Sequence, residues 1–174
     1  MNIMQSERIL LRPWRESDAE TLFKYASDPD VGPRAGWPPH KSVEESLEII
    51  RTVFHNDTTW AIVLKATDEP IGCIGYLPCD IDLPSREDEP LVGYWVAKPY
   101  WNQGICTEAL QLLIAQIRES TCIRSLISSH YLDNPASGQV MLKCGFVPMG
   151  DLHPNGTPYT VDGKAVRVLR LEIS

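Results

Sequence analysis

A turn carrying one glycine, Tyr100-Trp101-Asn102-Gln103-Gly104, runs straight into a stretch of helical spacing. In that stretch Cys106, Leu110, Leu113 and Ile117 fall on one face and Glu108, Gln111 and Arg118 mostly on the other. Ahead of the turn, residues 92–97 are a short β-branched and aromatic run of strand character. Pro99 stops the run, having no N–H for a ladder. Strand, glycine-bearing turn and helix start aim main-chain N–H groups out of the first helical turn, where the helix end adds about half a unit of positive charge. That combination suits a phosphate. No Lys-Ser or Lys-Thr follows Gly104 as in a P-loop, and the three spaced glycines of a dinucleotide turn are absent. By itself the segment fits an ordinary strand–helix unit equally well.

The composition narrows the partners. With 16 basic and 23 acidic side chains the formal charge is −7, and no basic face of the kind that grips a nucleic-acid backbone is visible, so no nucleic-acid partner is expected. An anionic ligand has to be held by local dipoles and a few cations against the overall field. Cys73, Cys79, Cys106, Cys122 and Cys144 are odd in number and have neither CxxC nor metal spacing, which fits free thiols in a reducing compartment and no metal site. Cys106, beside the turn, reads either as a small packing residue or as a thiol activated by a helix N-terminus. No charged leader with an apolar core opens the sequence, and no apolar run approaches a membrane span. The expectation is a cytoplasmic protein with no membrane partner.

The elements that must position these residues follow from capping and periodicity. Residues 7–13 (ERILLRP) read as a first strand. Ser17 with Glu20 forms a capping box that opens a helix, with Ala19, Leu22, Phe23 and Ala26 on its buried side and Asp28-Pro29 at its close. Residues 31–40 hold too much glycine and proline for regular structure. Ser42 with Glu45 caps a second helix, striped by Val43, Leu47, Ile50 and Phe54. Residues 60–65 and 71–77 are two strands joined by a turn at residues 67–70. Residues 125–131 are another strand. Asn134-Pro135 then starts a helix that ends at Cys144-Gly145, glycine at C′. Residues 146–152 and 165–173 close the chain as strands, with Asp162-Gly163 as a tight turn. The order βααβββαβαββ describes a single α/β domain with a mixed sheet over residues 1–174.

Asn134-Pro-Ala-Ser137 with Lys143-Cys-Gly145-Phe146, joined to Gly93-Tyr-Trp-Val96 and residues 100–109 (YWNQGICTEA), resembles the GNAT N-acetyltransferases. More narrowly it is similar to their RimJ/RimL-type branch, named for enzymes that acetylate ribosomal-protein N-termini. The resemblance covers almost the whole chain, order of elements included. It implies an α/β (α+β) fold: a mixed, mostly antiparallel sheet with a splayed central strand pair and about four helices. It also implies an enzyme that moves the acetyl group of acetyl-CoA, its co-substrate, to a primary amine by direct attack in a ternary complex. The acceptor would be a protein N-terminus or a small-molecule amine, and the enzyme a monomer or homodimer. The alternative on the same fold is a non-catalytic acyl-CoA-binding or sensing module.

In that family the strand ending at Val96 splays from its neighbour, and the pantetheine arm pairs with the exposed backbone of Trp95 and Val96. The turn from Trp101 through Asn102, Gln103, Gly104, Ile105, Cys106 and Thr107 then wraps the diphosphate. The family pattern is Gln/Arg-x-x-Gly-x-Gly/Ala; here Trp101 stands first and Cys106 last. Asn134 is implied as a contact to the pantetheine amide, beside its own reading as helix cap. Acetyl transfer needs a deprotonated amine, a held oxyanion and a stabilised leaving thiolate. The implied oxyanion donor is a main-chain N–H near Val96. Met141 stands where many members carry the tyrosine that protonates the thiolate. The branch assigns that role to a serine three places after the asparagine, here Ser137, which reads equally as a helix-start serine bonded to backbone. Relatives often carry a base glutamate two residues before the Gly-Tyr-Trp glycine, where this chain has Leu91. Glu89, two places further back on the same strand face, is the candidate base, set against simple positioning of a partly neutral amine. Trp37 and His40 lie in the region where the family binds its acceptor. His130, near the end of the strand before Asn134, faces either the acceptor groove or the core. The acidic residues 78–90 are a solvated connection or a rim that attracts a cationic amine.

Overall fold

Residues 2–173 are described by the structure, a computed structural model. Their contacts fall into two compact units: the chain up to Gly75 together with Tyr94–Leu113, and Tyr76–Gly93 together with the chain from Ile114 onward. Neither is a continuous stretch of sequence.

In the first unit, β1 (Met4–Gln5), β2 (Ile9–Arg12), β3 (Thr59–Leu64) and β4 (Glu69–Pro78, its last residues in the second unit) pair in antiparallel order. Leu11 lies opposite Ile62, and Ala61 opposite Cys73. Five of the six residues of β3 are buried, so both of its faces are covered. One face meets helices α1 (Ala19–Ala26) and α3 (Val43–Arg51) in a core of Trp14, Leu22, Ala26, Ile50, Ala61, Val63 and Cys73. The short helix α2 (Gly32–Ala35) interrupts the loop expected to be irregular and ends at Gly36, whose φ of 96° is the left-handed value glycine tolerates. The described residues thus hold five α-helices where about four were expected.

Two helix starts were read from capping residues, and they came out differently. Ser42 Oγ accepts the Glu45 N–H at 3.0 Å while the Glu45 carboxylate accepts the Lys41 N–H at 2.9 Å, so the second expected cap is formed. The first is corrected: α1 has Asp18, not Ser17, at its N-cap, and a 3-10 turn (Glu16–Asp18) precedes it, with Asp18 accepting the Arg15 N–H at 2.8 Å. The reason is tertiary. Asp18 is bidentate with Arg12 of β2 at 2.8 and 2.9 Å, both side chains buried, and this pair decides where the helix begins.

In the second unit, β6 (Ser125–Tyr131) and β9 (Lys164–Glu172) pair antiparallel from Ser125↔Glu172 to Tyr131↔Val166. The strand β7 (Val147–Gly150) flanks β9. Asp162 and Gly163, with φ of 51° and 77°, make the expected tight turn, though it joins β9 to the short β8 (Thr160–Val161) and not to β7. The strand β5 (Pro90–Val96) meets β6 in parallel at Leu91↔Ile127, with Ser128 Oγ–H on the Val92 carbonyl at 2.8 Å. A single register position between two seven-residue strands is a short ladder. The remaining recorded pairings are antiparallel, as the mostly antiparallel fold class requires. Helix α5 (Pro135–Lys143) closes in a Schellman motif: Gly145, φ 93°, donates to the Leu142 carbonyl at 3.1 Å and Phe146 to that of Met141 at 3.0 Å. No helix of the described residues is long and apolar enough to cross a membrane.

Candidate active site

The first unit forms the glycine turn expected from the sequence. After β5, a 3-10 turn (Lys98–Tyr100) leads into Asn102 and Gly104, whose φ values of 61° and 76° bend the chain sharply. The Glu108 N–H donates to the Gly104 carbonyl at 3.0 Å and closes the first turn of α4 (Ile105–Ser120) onto the glycine. Gln103 Nε2 donates to the Pro99 carbonyl at 3.2 Å, and Arg8 to the Gln103 carbonyl at 2.9 Å. Asn102, Gln103 and Gly104 are exposed, Cys106 and Thr107 half-buried, and Ile105 buried in the core beneath them. An exposed glycine turn running into a helix start is the kind of place where a diphosphate can sit.

The end of β5 separates two jobs that sequence reasoning had given jointly to Trp95 and Val96. The Ala97 N–H donates to the Ile71 carbonyl at 2.7 Å, and a Cβ on Gly72 would stand 2.3 Å from the Trp95 carbonyl oxygen. Trp95 and Ala97 therefore turn their main chain toward β4, at a spacing only glycine permits. Val96, between them, turns the other way by the alternation of a strand. Its carbonyl accepts the Trp101 indole N–H at 2.7 Å. Of the two residues, Val96 has main chain directed away from β4. Trp95 contributes its ring instead.

That ring joins the two residues read as the acceptor region. Trp37 lies edge-on to Trp95 with centroids 5.4 Å apart and tilted against His40 at 5.2 Å. Gly32 makes room, since a Cβ there would stand 2.6 Å from the Trp37 carbonyl and 2.7 Å from its ring. His40 Nδ1 shares a hydrogen bond of 2.8 Å with buried Ser46. Burial pushes the His40 ring below its ordinary value of 6.5, against the opposing charge of Glu45, and so favours the neutral form. Two residues were missed. Arg34 lays its guanidinium over the Trp101 ring at 4.7 Å, and Arg8 grips the turn; both are distant in sequence from the motif, and nothing in their local pattern marked them.

The second unit holds Glu89, the candidate base, in a buried ion pair. Glu89 is fully buried: Arg170 Nε and a terminal nitrogen donate to its two oxygens at 2.7 and 2.9 Å, the Arg86 N–H at 3.1 Å, and Ser125 Oγ–H completes the set. Burial pushes the carboxyl up, but the bonds from Arg170, Ser125 and the Arg86 amide outweigh it and hold it below the ordinary 4.5. A carboxylate so saturated is a structural ion pair, and this argues against the general-base role. His130 is also packed away: Nδ1–H donates to the Tyr131 carbonyl at 2.8 Å, and Nε2 sits 2.5 Å from where a Cβ on Gly138 would be. Its imidazole fills the space under α5 that the missing side chain leaves, which suits the core reading.

Asn134 occupies the N-cap of α5 without making the side-chain capping bond, so helix capping does not account for it. Ser137 lies half-buried in the first turn, and Met141 is wholly buried packing. An open groove of about 580 Å³ lies beside Leu132, Asp151, Leu152, Pro158 and Arg167, with Asp151 and Arg167 paired at 2.8 and 3.0 Å. Among the described residues no group of three His, Cys, Asp or Glu is placed to hold a metal ion. All five cysteines are free; burial pushes the Cys73 thiol up to about 12 and that of Cys144 to about 11, so both are inert at neutral pH.

Comparison with known proteins bears on this geometry. Residues 8–147 match the family model described as an acetyltransferase (GNAT) domain. An uncharacterized N-acetyltransferase of Bacillus subtilis, YoaA, is 26% identical over 166 residues, covering 90% of this chain and 92% of the relative. The ribosomal-protein-serine acetyltransferase of Escherichia coli is 36% identical over 90 residues, covering 49% of this chain and 45% of that one. A GNAT-family acetyltransferase from Bacillus anthracis superposes with a TM-score of 0.80 at 19% identity, covering 99% of both chains. With four-fifths of its length inside the family model and a matching fold, the chain belongs to the GNAT acetyltransferases.

Proposed function

We propose that this acetyltransferase moves the acetyl group of acetyl-CoA to a primary amine, a protein N-terminus or a small-molecule amine, by direct attack in a ternary complex. The observation that carries the reading is Val96, whose main chain is directed away from β4 and whose carbonyl is tied to the turn by Trp101. Pantetheine pairs along that edge, residues 101–107 take the diphosphate, and the Val96 N–H receives the oxyanion. Asn134 contacts the pantetheine amide. The amine nitrogen attacks the thioester carbon, the C–N bond forms, and the C–S bond breaks as the tetrahedral intermediate collapses. The ammonium proton passes to solvent, and Ser137 hands its proton to the departing thiolate and is reprotonated by water. With Glu89 committed to Arg170, the amine reacts through positioning, its neutral fraction held beside Trp37 and His40.

The acceptor class follows the RimJ/RimL-type branch, to which the Escherichia coli relative belongs. The test is CoA thiol release from acetyl-CoA against a panel of N-terminal peptides and small amines. Release that depends on both substrates is expected. Tight CoA binding with no release above blank on any acceptor overturns the reading in favour of a non-catalytic acyl-CoA-binding module.

A further inference from the structure

Arg8 stands between β1 and β2, and its guanidinium reaches across to the glycine turn. Nε–H donates to Glu108 Oε1 at 3.3 Å, and one terminal nitrogen donates to the Gln103 carbonyl at 2.9 Å. The other lies 3.7 Å from where a Cβ on Gly104 would stand, its nearest neighbour there. Ser6 Oγ–H takes the second Glu108 oxygen at 2.8 Å. The fork therefore touches the residue before the glycine, the space over the glycine, and the acid in the first turn of α4. Planar guanidinium geometry sets these donors in a fixed fork, whereas an ammonium is a compact charge on a flexible stem.

The charges give this grip a purpose. Glu108 complements the positive end of α4 in the empty protein. The same carboxylate repels any diphosphate seated on that turn, in a chain whose formal charge is already −7. Arg8 and Ser6 occupy both carboxylate oxygens and replace the repelling charge with a cation facing the glycine. We propose that Arg8 is a cofactor-positioning residue, which fixes the turn at Gln103 and cancels Glu108 so that the turn accepts the diphosphate of a CoA thioester. The inference rests on the reading that residues 101–107 hold that diphosphate.

The experiment is calorimetric titration of the purified full chain with CoA, which needs no acceptor. Arg8→Gln is expected to bind CoA about tenfold more weakly, with Arg8→Lys in between, because charge survives in lysine but the fork does not. Glu108→Gln is expected to bind about twofold more tightly, and Arg8→Gln/Glu108→Gln to recover part of the Arg8→Gln loss. A purely structural clamp predicts the opposite sign for Glu108→Gln and a further loss in the double variant. Equal CoA affinity for Arg8→Gln and wild type, or a Glu108→Gln loss as large as that of Arg8→Gln, overturns the proposal. Should Arg8→Gln fail to fold, the sign of the Glu108→Gln change decides. Failure of the wild type itself to bind CoA while folded condemns the diphosphate reading and is distinct from either result.

Discussion

The indole N–H of Trp101 donates to the main-chain carbonyl of Val96 at 2.7 Å. The bond joins residues five positions apart, tying the strand end, where an oxyanion would be held, to the turn, where a diphosphate would sit. Arg34 lies over the ring of the same indole, 4.7 Å from its centroid. One side chain thereby sets the spacing between two parts of the cofactor site, in the place where the family pattern has a glutamine or arginine.

Trp101→Phe keeps the ring for Arg34 and deletes the donor. A neutral hydrogen bond of this kind contributes about 1 kcal/mol, so kcat/KM for acetyl-CoA is expected to fall roughly fivefold. Steady-state kinetics at saturating acceptor measure it. No change in either kcat or KM would mean that the strand end is held without the indole.

Glu89→Gln tests stability, not a rate profile. The amide leaves Arg170 buried without its counter-charge, and removing one partner of a buried pair costs about 3 kcal/mol or more. For a chain of this size that lowers Tm by roughly 10 °C, read by calorimetry. The folded carboxyl lies below its ordinary 4.5, so its contribution is complete above that value and is lost as pH falls through the folded pKa. Wild type and variant should therefore converge in stability as the solution is acidified below pH 4.5. Kinetics that fail in Glu89→Gln and return with rising pH would restore the base assignment.

What could be read from the sequence was whatever depends on neighbours along the chain. The turn at Gly104, the Schellman end at Gly145, the Ser42 cap and the Asp162-Gly163 turn all form as expected, because φ preference and local hydrogen bonds decide them. The Ser17 cap did not form and Glu89 is held in a buried ion pair, because in each place an arginine claims an acid. Glu89 is claimed by Arg170, 81 residues away, which no local pattern announces, and Asp18 by Arg12, six residues back on β2. The same blindness hid Arg8, whose contacts with the turn are 95 and 100 residues distant. Trp37 and His40 were named together but apart from Trp95; the meeting of the three is a tertiary fact made possible by Gly32.

Gly32→Ala drives a methyl group into the Trp37 carbonyl and ring, at 2.6 and 2.7 Å, where backbone must yield. Overpacking of this sort costs about 1–3 kcal/mol. The aromatic cluster with His40 and Trp95 is displaced, so tryptophan fluorescence shifts along with a lower Tm. An unmoved emission maximum would show that the loop absorbs the methyl without disturbing Trp37.

His40 links the same cluster to pH. Its folded pKa lies below 6.5 because burial disfavours the imidazolium, so above 6.5 both folded and unfolded chains hold it neutral. Below that value the unfolded chain takes up the proton first, and stability falls until the folded pKa is reached. Tm measured from pH 8 down to pH 5 should drop more steeply for wild type than for His40→Asn. Parallel profiles would show that His40 is protonated equally in both states.

Ser137→Ala addresses the leaving group. Ser137 sits half-buried in the first turn of α5, beside an asparagine that does not cap the helix with its side chain. If the hydroxyl protonates the departing thiolate, its loss acts only as the C–S bond breaks. A thiolate is already a fair leaving group, so the effect belongs at the low end of general-acid contributions, about a hundredfold in kcat. KM for acetyl-CoA should stay within about twofold, since ground-state binding does not use that proton. Ser137→Thr, which keeps a hydroxyl at the same carbon, should restore most of the rate. A helix-start serine without chemistry predicts another pattern: Tm falls by the few degrees that about 1 kcal/mol produces, and kcat is intact. The ratio of the two losses, rate against stability, separates a proton donor from a backbone support.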